Sequence, residues 1–304
     1  MMQDMKAWYA KLAKYLPDRI VNGLETSLLN PLQLLERAQI RLAQRSGPPY
    51  RPSHRKIIID ITVSCNLHCI NCDRSCGEAQ APSSDYMSVA QIEKFIGEGI
   101  AQGRKWEEIA LEGGEPTLHP DLDNIIDLLV QYRRTFSPRT SIQLLTNGYG
   151  AQSRMRLNSL RQKNILVINT RKTSRIQPHH CAFNVAPCDT PEMASVDFSQ
   201  GCFLPACYGL GLTQYGYYPH PICGGIDRVF GFDIGRKRLP SPSDSMQDQF
   251  ARLCALCGYF RNRFLSEVEP ENQAMRYGGI SEISVSWKDA YSNYQKKAPV
   301  LDLY

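Results

Sequence analysis

The chain has 304 residues, 42% of them hydrophobic, enough for one large α/β domain with extensions or for two domains sharing an interface. Its formal charge, 35 basic minus 30 acidic residues, is +5. That charge is too small and dispersed to argue for a nucleic-acid partner, and Arg133-Arg134 and Lys296-Lys297 read as solvated faces. No run of 18 apolar residues is present to span a bilayer, and no basic-then-apolar leader opens the sequence. The expectation is a cytoplasmic protein that does not engage a membrane.

Met5, Trp8, Tyr9, Leu12 and Leu16 predict a short helix over 3–16 that Pro17 stops. Pro31 opens a second helix to about Arg45, and Gly47-Pro48-Pro49 breaks the chain. Strand and helix then alternate. Strands are predicted at 57–63, 109–111, 141–146 and 165–168, with a weaker fifth at 183–186. Ser88 caps a helix over 89–101, and further helices are expected at 121–130 and 151–161. This alternation favours a parallel sheet covered by helices. Cys65, the segment from Glu112 to Glu115, Asn147 and Asn169 all fall near strand C-terminal ends, the usual functional face of such sheets. After about residue 190 the rhythm weakens. Residues 209–218 read as a glycine- and tyrosine-rich hairpin, 239–243 as a polar linker and 246–257 as a helix.

Eleven cysteines stand at 65, 69, 72, 76, 181, 188, 202, 207, 223, 254 and 257. A chain this long folds without disulfide staples, so metal or iron–sulfur binding is the stronger reading. Cys65, Cys69 and Cys72 form C-x3-C-x2-C in the loop after the first strand. Three thiolates leave one position open at a tetrahedral metal or a four-iron cluster, and an open position is where chemistry occurs. Structural zinc would need a fourth ligand, for which Cys76 and His68 are the neighbours.

The C-x3-C-x2-C loop, combined with Gly113-Gly114-Glu115-Pro116 after the second strand, resembles the radical S-adenosylmethionine (radical SAM) superfamily over roughly residues 56–200. The resemblance implies a partial (β/α)6 radical SAM barrel. Cys65, Cys69 and Cys72 would hold three irons of a [4Fe-4S] cluster, with S-adenosyl-L-methionine on the fourth. Gly113, Gly114, Glu115 and Pro116 would contact the methionine amino group, the two glycines allowing close backbone approach. Asn147, in Thr146-Asn147-Gly148, and Asn169 are further cofactor-binding candidates, each with a loop-capping alternative. The chain departs from the family at Asn71, where an aromatic residue usually precedes the third cysteine, so the adenine must pack differently. His68 reads as exposed or hydrogen-bonded in the loop, Cys76 as a spare thiol and His119 as a capping or structural histidine. His179-His180 lies after the fourth strand with no shared target.

Cys207, Cys223, Cys254 and Cys257 are spaced x15, x30 and x2, with the hairpin between the first two. This pattern resembles the auxiliary-cluster unit called a twitch domain and implies a second [4Fe-4S] cluster. Cys202 competes with Cys207 for one ligand place, and zinc is the alternative metal. Cys181 and Cys188 read as core thiols or as a hydrogen-atom donor. The implied organisation is α/β: an N-terminal helical extension (1–52), a radical SAM core (53–200), a small C-terminal cysteine-rich auxiliary-cluster domain (201–262) and a C-terminal extension (263–304).

These resemblances imply an enzyme that generates a 5′-deoxyadenosyl radical and abstracts hydrogen from a polar small metabolite. A sugar or aminocyclitol in natural-product biosynthesis is expected, giving oxidation or rearrangement, with a dehydrogenase as the leading type. Flavodoxin or ferredoxin is the expected electron donor. Arg171 and Lys172 are candidates for a substrate phosphate or carboxylate, or form a solvated turn. A peptide-modifying maturase is the main alternative. An RNA-modifying enzyme and a noncatalytic iron–sulfur scaffold are further ones.

Overall fold

The structure is a computed structural model that describes residues 50–80, 85–160, 162–176, 183–189, 193, 196–260 and 283–304. The helices expected at 3–16 and 31–45, and Cys181, His179 and His180, lie outside the described residues. Residues 50–304 cluster as one compact unit.

Among the described residues six strands form one sheet in the order β4-β3-β2-β1-β5-β6. They are β1 (Lys56–Thr62), β2 (Glu108–Gly113), β3 (Ser141–Thr146), β4 (Leu166–Asn169), β5 (Leu210–Thr213) and β6 (Gly216–Tyr218). Strands β1 to β5 pair in parallel, and β6 turns back antiparallel on β5. Among the described residues the sheet does not close into a barrel.

The helices are α1 (Val89–Ala101), α2 (Leu122–Thr135), α3 (Ala151–Leu160), α4 (Phe203–Tyr208), α5 (Pro221–Phe230), α6 (Gln247–Leu253) and α7 (Val285–Lys296). Ser88 and Gln91 make a reciprocal capping box at the start of α1, satisfying backbone donors that helix geometry leaves unpaired. One face of the sheet carries Ile57, Ile59, Ile61, Ile109, Leu111, Ile142 and Leu144. These pack with Phe95 of α1 and with Ile125 and Leu129 of α2 into the main core. Each fully buried isoleucine stabilises the fold by roughly 1.5–3 kcal/mol. The alternate residues of β1, including Asp60 and Thr62, point to the other face.

The hairpin at 210–218 extends the main sheet. Its β5 pairs with β1, with Ile57, Ile58 and Ile59 opposite Leu210, Gly211 and Leu212. The chain from 201 onward is therefore hydrogen-bonded to the strand that leads into the cysteine loop. The weak strand expected at 183–186 is a turn. Phe183 is fully buried there, edge-on to Trp287, and Pro187 opens a short 3-10 turn, so no extended run develops. The helix expected over 246–257 ends at Leu253 and tightens into a 3-10 turn at Cys254–Leu256. A second core gathers around this turn, built from Phe183, Phe250, Phe260 and Trp287 with Cys202, Cys223, Cys254 and Cys257. Among the described residues no helix is long and apolar enough to cross a membrane.

Candidate functional site

The C-terminal ends of β1, β2 and β3 meet in one hydrogen-bonded assembly. Gly113 has φ +131°, a backbone conformation open to glycine. A Cβ there would sit 2.1 Å from the Thr62 carbonyl oxygen, and one on Gly114 would sit 2.2 Å from that of Ser64. The close approach that demands both glycines is therefore to the end of β1. Gly114 N–H donates to Thr62 O and Glu115 N–H to Ser64 O, each at 2.8 Å, immediately before Cys65.

Glu115 is fully buried. Its Oε1 accepts from Thr117 N (3.0 Å), Thr117 Oγ1 (2.6 Å) and Thr146 Oγ1 (2.7 Å), and its Oε2 accepts from Asn147 N (2.7 Å). One carboxylate thus caps the 3-10 turn at Pro116–Leu118 and ties β2 to the end of β3. Asn147 continues the chain of contacts. Its Nδ2 donates to Asn66 Oδ1 at 2.8 Å and lies 3.9 Å from Cys65 Sγ, while Asn66 Nδ2 donates to Tyr149 O at 2.6 Å. Asn169 is exposed, and its Oδ1 accepts from Arg171 N at 2.8 Å, the loop-capping geometry. Lys172 N donates to Asn147 O, and its ammonium acts electrostatically on Cys69.

Cys65, Cys69 and Cys72 are each partly buried. Burial pushes the Cys65 thiol up to about 11, with Leu67 N–H opposing and Cys72 and Glu115 adding to the rise. Burial likewise pushes Cys69 to about 12, reinforced by Cys72 and Cys65 and opposed by Lys172. Cys72 is lowered by a hydrogen bond with Cys76, against its own burial. Among the described residues no three metal-ligating side chains already meet at a point suited to a single ion. The three thiols nonetheless share one loop and sense one another's charge. As soft donors whose thiolates need a positive centre, they fit a three-thiolate iron–sulfur cluster.

Cys76 and Cys188 depart from the sequence expectation, whereas His68 and His119 do not. Cys76 is no spare thiol: it is buried and hydrogen-bonded to Cys72. Asn71 is buried with φ 55°, a left-handed conformation that asparagine tolerates and an aromatic residue resists. His119 is buried and bonded to Met87 O and Asp121 N, so it braces the turn, and burial lowers its pKa. His68 is exposed, and its ring covers Gly77. Cys188 is exposed, not in a core.

Sequence reasoning missed Arg74, two residues past Cys72. It is 7% exposed and pairs with Asp60 (2.9 Å), Asp73 (3.0 Å) and Glu112 (3.0 Å). Burial opposes its charge, and the three carboxylates more than offset that. Asp60 and Glu112 are register partners on β1 and β2. Burial raises both: Glu112 reaches about 7, with Arg74 pulling it down and Asp60 and Asp73 pushing it up. The position of Glu112, one residue before the glycine pair, was the available signal.

In the second core Cys223 and Cys257 are buried, and burial raises both thiols, Cys257 to about 12. Cys202 acts electrostatically on each of them. Cys202 is 5% exposed and precedes α4, whereas Cys207 lies inside α4, is only partly buried and is absent from that core. The structure thus groups Cys202, Cys223, Cys254 and Cys257.

The family model described as Radical SAM superfamily matches residues 59–168. GTP 3′,8-cyclase of Aliarcobacter butzleri (strain RM4018) is 31% identical over 91 residues, covering 30% of this chain and 26% of that protein. Molybdenum cofactor biosynthesis protein 1 of Bos taurus is 32% identical over 99 residues, covering 31% of this chain and 14% of that protein. The matched stretch therefore spans about a quarter or less of these relatives' length. Among solved structures, BtrN in complex with AdoMet and 2-DOIA shares 13% identity at a TM-score of 0.40, covering 70% of this chain and 88% of that one. Residues 59–168, which carry the cysteine loop, the Gly113–Pro116 segment and Asn147, belong to the Radical SAM superfamily.

Proposed function

We propose that this chain is a radical SAM enzyme that removes hydrogen from a polar small metabolite, a sugar or aminocyclitol, and completes an oxidation. The observation that carries the reading is the hydrogen-bonded junction of the cysteine loop with Gly114, Glu115 and Asn147 at three adjacent strand ends. Cys65, Cys69 and Cys72 would hold the first [4Fe-4S] cluster, with S-adenosyl-L-methionine beside Gly113–Pro116 and Asn147. Cys202, Cys223, Cys254 and Cys257 would hold the second, in preference to the set containing Cys207. These groups supply a 5′-deoxyadenosyl radical, when reduced by flavodoxin or ferredoxin, and an electron acceptor.

The chain's own residues have three tasks. The buried junction keeps water from the radical and fixes the cysteine loop. Asp73 and Glu112, the two partly exposed carboxylates on Arg74, offer acceptors for hydroxyl or ammonium groups. Glu112, with a carboxyl near neutrality, takes the hydroxyl proton as the carbinol becomes a ketone. The names of the cyclase relatives support a small polar substrate and bring nucleotides into the candidate set.

The test is an anaerobic screen of sugars, aminocyclitols, nucleotides and peptides, read by mass spectrometry. Deuterium at the attacked carbon should appear in 5′-deoxyadenosine, and the unlabelled substrate should give a product two mass units lighter. Modification of peptides alone would overturn the substrate class. Deuterium transfer without net oxidation would redirect the reaction to rearrangement.

A further inference from the structure

Arg228 lies on α5, five residues after Cys223, and is 2% exposed. Its Nη1 donates to Ala79 O (2.8 Å) and Tyr294 OH (2.7 Å), and its Nη2 donates to Arg74 O (2.9 Å) and Ser75 O (3.4 Å). The guanidinium also lies 5.3 Å from the centre of the Tyr294 ring. Among the described residues its Nε has no hydrogen-bond partner. Every acceptor is neutral, and among the described residues Arg228 makes no ion pair. Arg74 beside it has three carboxylates. Asp85 shares a cleft with Arg228 and is engaged by Gln214 and Tyr215; burial raises its carboxyl, and the Arg228 charge pulls it back down without a direct ion pair.

A buried cation whose hydrogen bonds all go to neutral groups, with one carboxylate acting only at a distance, is costly unless further negative charge answers it. Here the three carbonyls it holds belong to residues 74–79, the limb of the cysteine loop that follows Cys72. We propose that Arg228 is a positioning residue for the first iron–sulfur centre, clamping the 74–79 limb and supplying the positive charge that offsets the centre. This rests on the assignment of Cys65, Cys69 and Cys72 as ligands. A three-thiolate [4Fe-4S]2+ centre is formally −1 and becomes −2 on taking one electron, so a fixed positive charge favours the reduced form.

The experiment is a potentiometric titration with dithionite, followed by electron paramagnetic resonance, of the full chain reconstituted anaerobically. The first centre is identified as the signal that changes when S-adenosyl-L-methionine is added. Arg228→Gln should lower the reduced-to-oxidised ratio at a fixed potential about tenfold, equal to about 59 mV for one electron. Arg228→Lys, which keeps the charge, should stay within about threefold of wild type, and Tyr294→Phe should match wild type. An unshifted Arg228→Gln, or an Arg228→Lys shifted as far as Arg228→Gln, would overturn the charge role. If Arg228→Gln takes up no iron, Arg228→Lys decides alone: a tenfold shift in it refutes the proposal. Absence of any such signal in wild type would defeat the ligand assignment itself, and this proposal with it.

Discussion

Replacing Glu115 by glutamine keeps the side chain's size and removes one acceptor. The glutamine oxygen can still serve Thr117 and Thr146 in place of Oε1. Its NH2 group must then face Asn147 N–H, where Oε2 now accepts at 2.7 Å. Flipping the amide only moves the donor–donor clash to Thr117 N–H. The change loses one hydrogen bond to a charged group, about 1.5–3 kcal/mol, and leaves a buried N–H unsatisfied at about 1–3 kcal/mol. The expected destabilisation is about 3–5 kcal/mol. Urea unfolding of the iron-free chain measures it as a lower midpoint at unchanged slope. Because Asn147 also holds Asn66, iron uptake at the cysteine loop should fall in parallel. A loss below about 1 kcal/mol would refute the view that Glu115 locks β2 to β3.

Gly114→Ala should destabilise by about 3 kcal/mol or more, beyond ordinary overpacking, because its Cβ meets the Ser64 backbone, which a rotamer change cannot move. Differential scanning of the iron-free chain checks this. Glu112 has a folded pKa near 7, above its unfolded value, so its folded-state advantage is full below about pH 4.5 and is lost as pH rises through 7. The stability of Glu112→Gln relative to wild type should therefore improve by on the order of 3 kcal/mol between pH 4.5 and 8. A pH-independent difference would contradict the burial argument. Cys202→Ala should remove about four of eight irons after reconstitution while Cys207→Ala retains them, and the reverse result would restore Cys207 as the ligand.

The sequence made the local elements plain where one physical signal dominated. The Ile57-Ile58-Ile59 run and the Ser88 cap each read correctly because strand burial and capping leave short-range patterns. Long-range pairing left none. Nothing near residue 210 announces that β5 will lie beside β1, some 150 residues earlier. The choice between Cys202 and Cys207 also needed three dimensions. Five residues of helix turn a side chain by about 140° relative to its start, so the two thiols do not face the same core. Arg74 and Arg228 look like surface residues in the sequence. Their burial becomes visible only when the cysteine loop folds against Asp60, Glu112 and α5. The packing of Gly113 and Gly114 against the backbone of Thr62 and Ser64 left no signal in the sequence.

The most direct measurement is reductive cleavage of S-adenosyl-L-methionine by the anaerobically reconstituted chain. Wild type should release 5′-deoxyadenosine and methionine under dithionite. The triple variant Cys65→Ala, Cys69→Ala, Cys72→Ala should release neither while keeping the iron of the second cysteine set. Cleavage by the triple variant at the wild-type rate, or none by a wild-type chain fully loaded with iron and sulfide, would contradict radical chemistry at this loop.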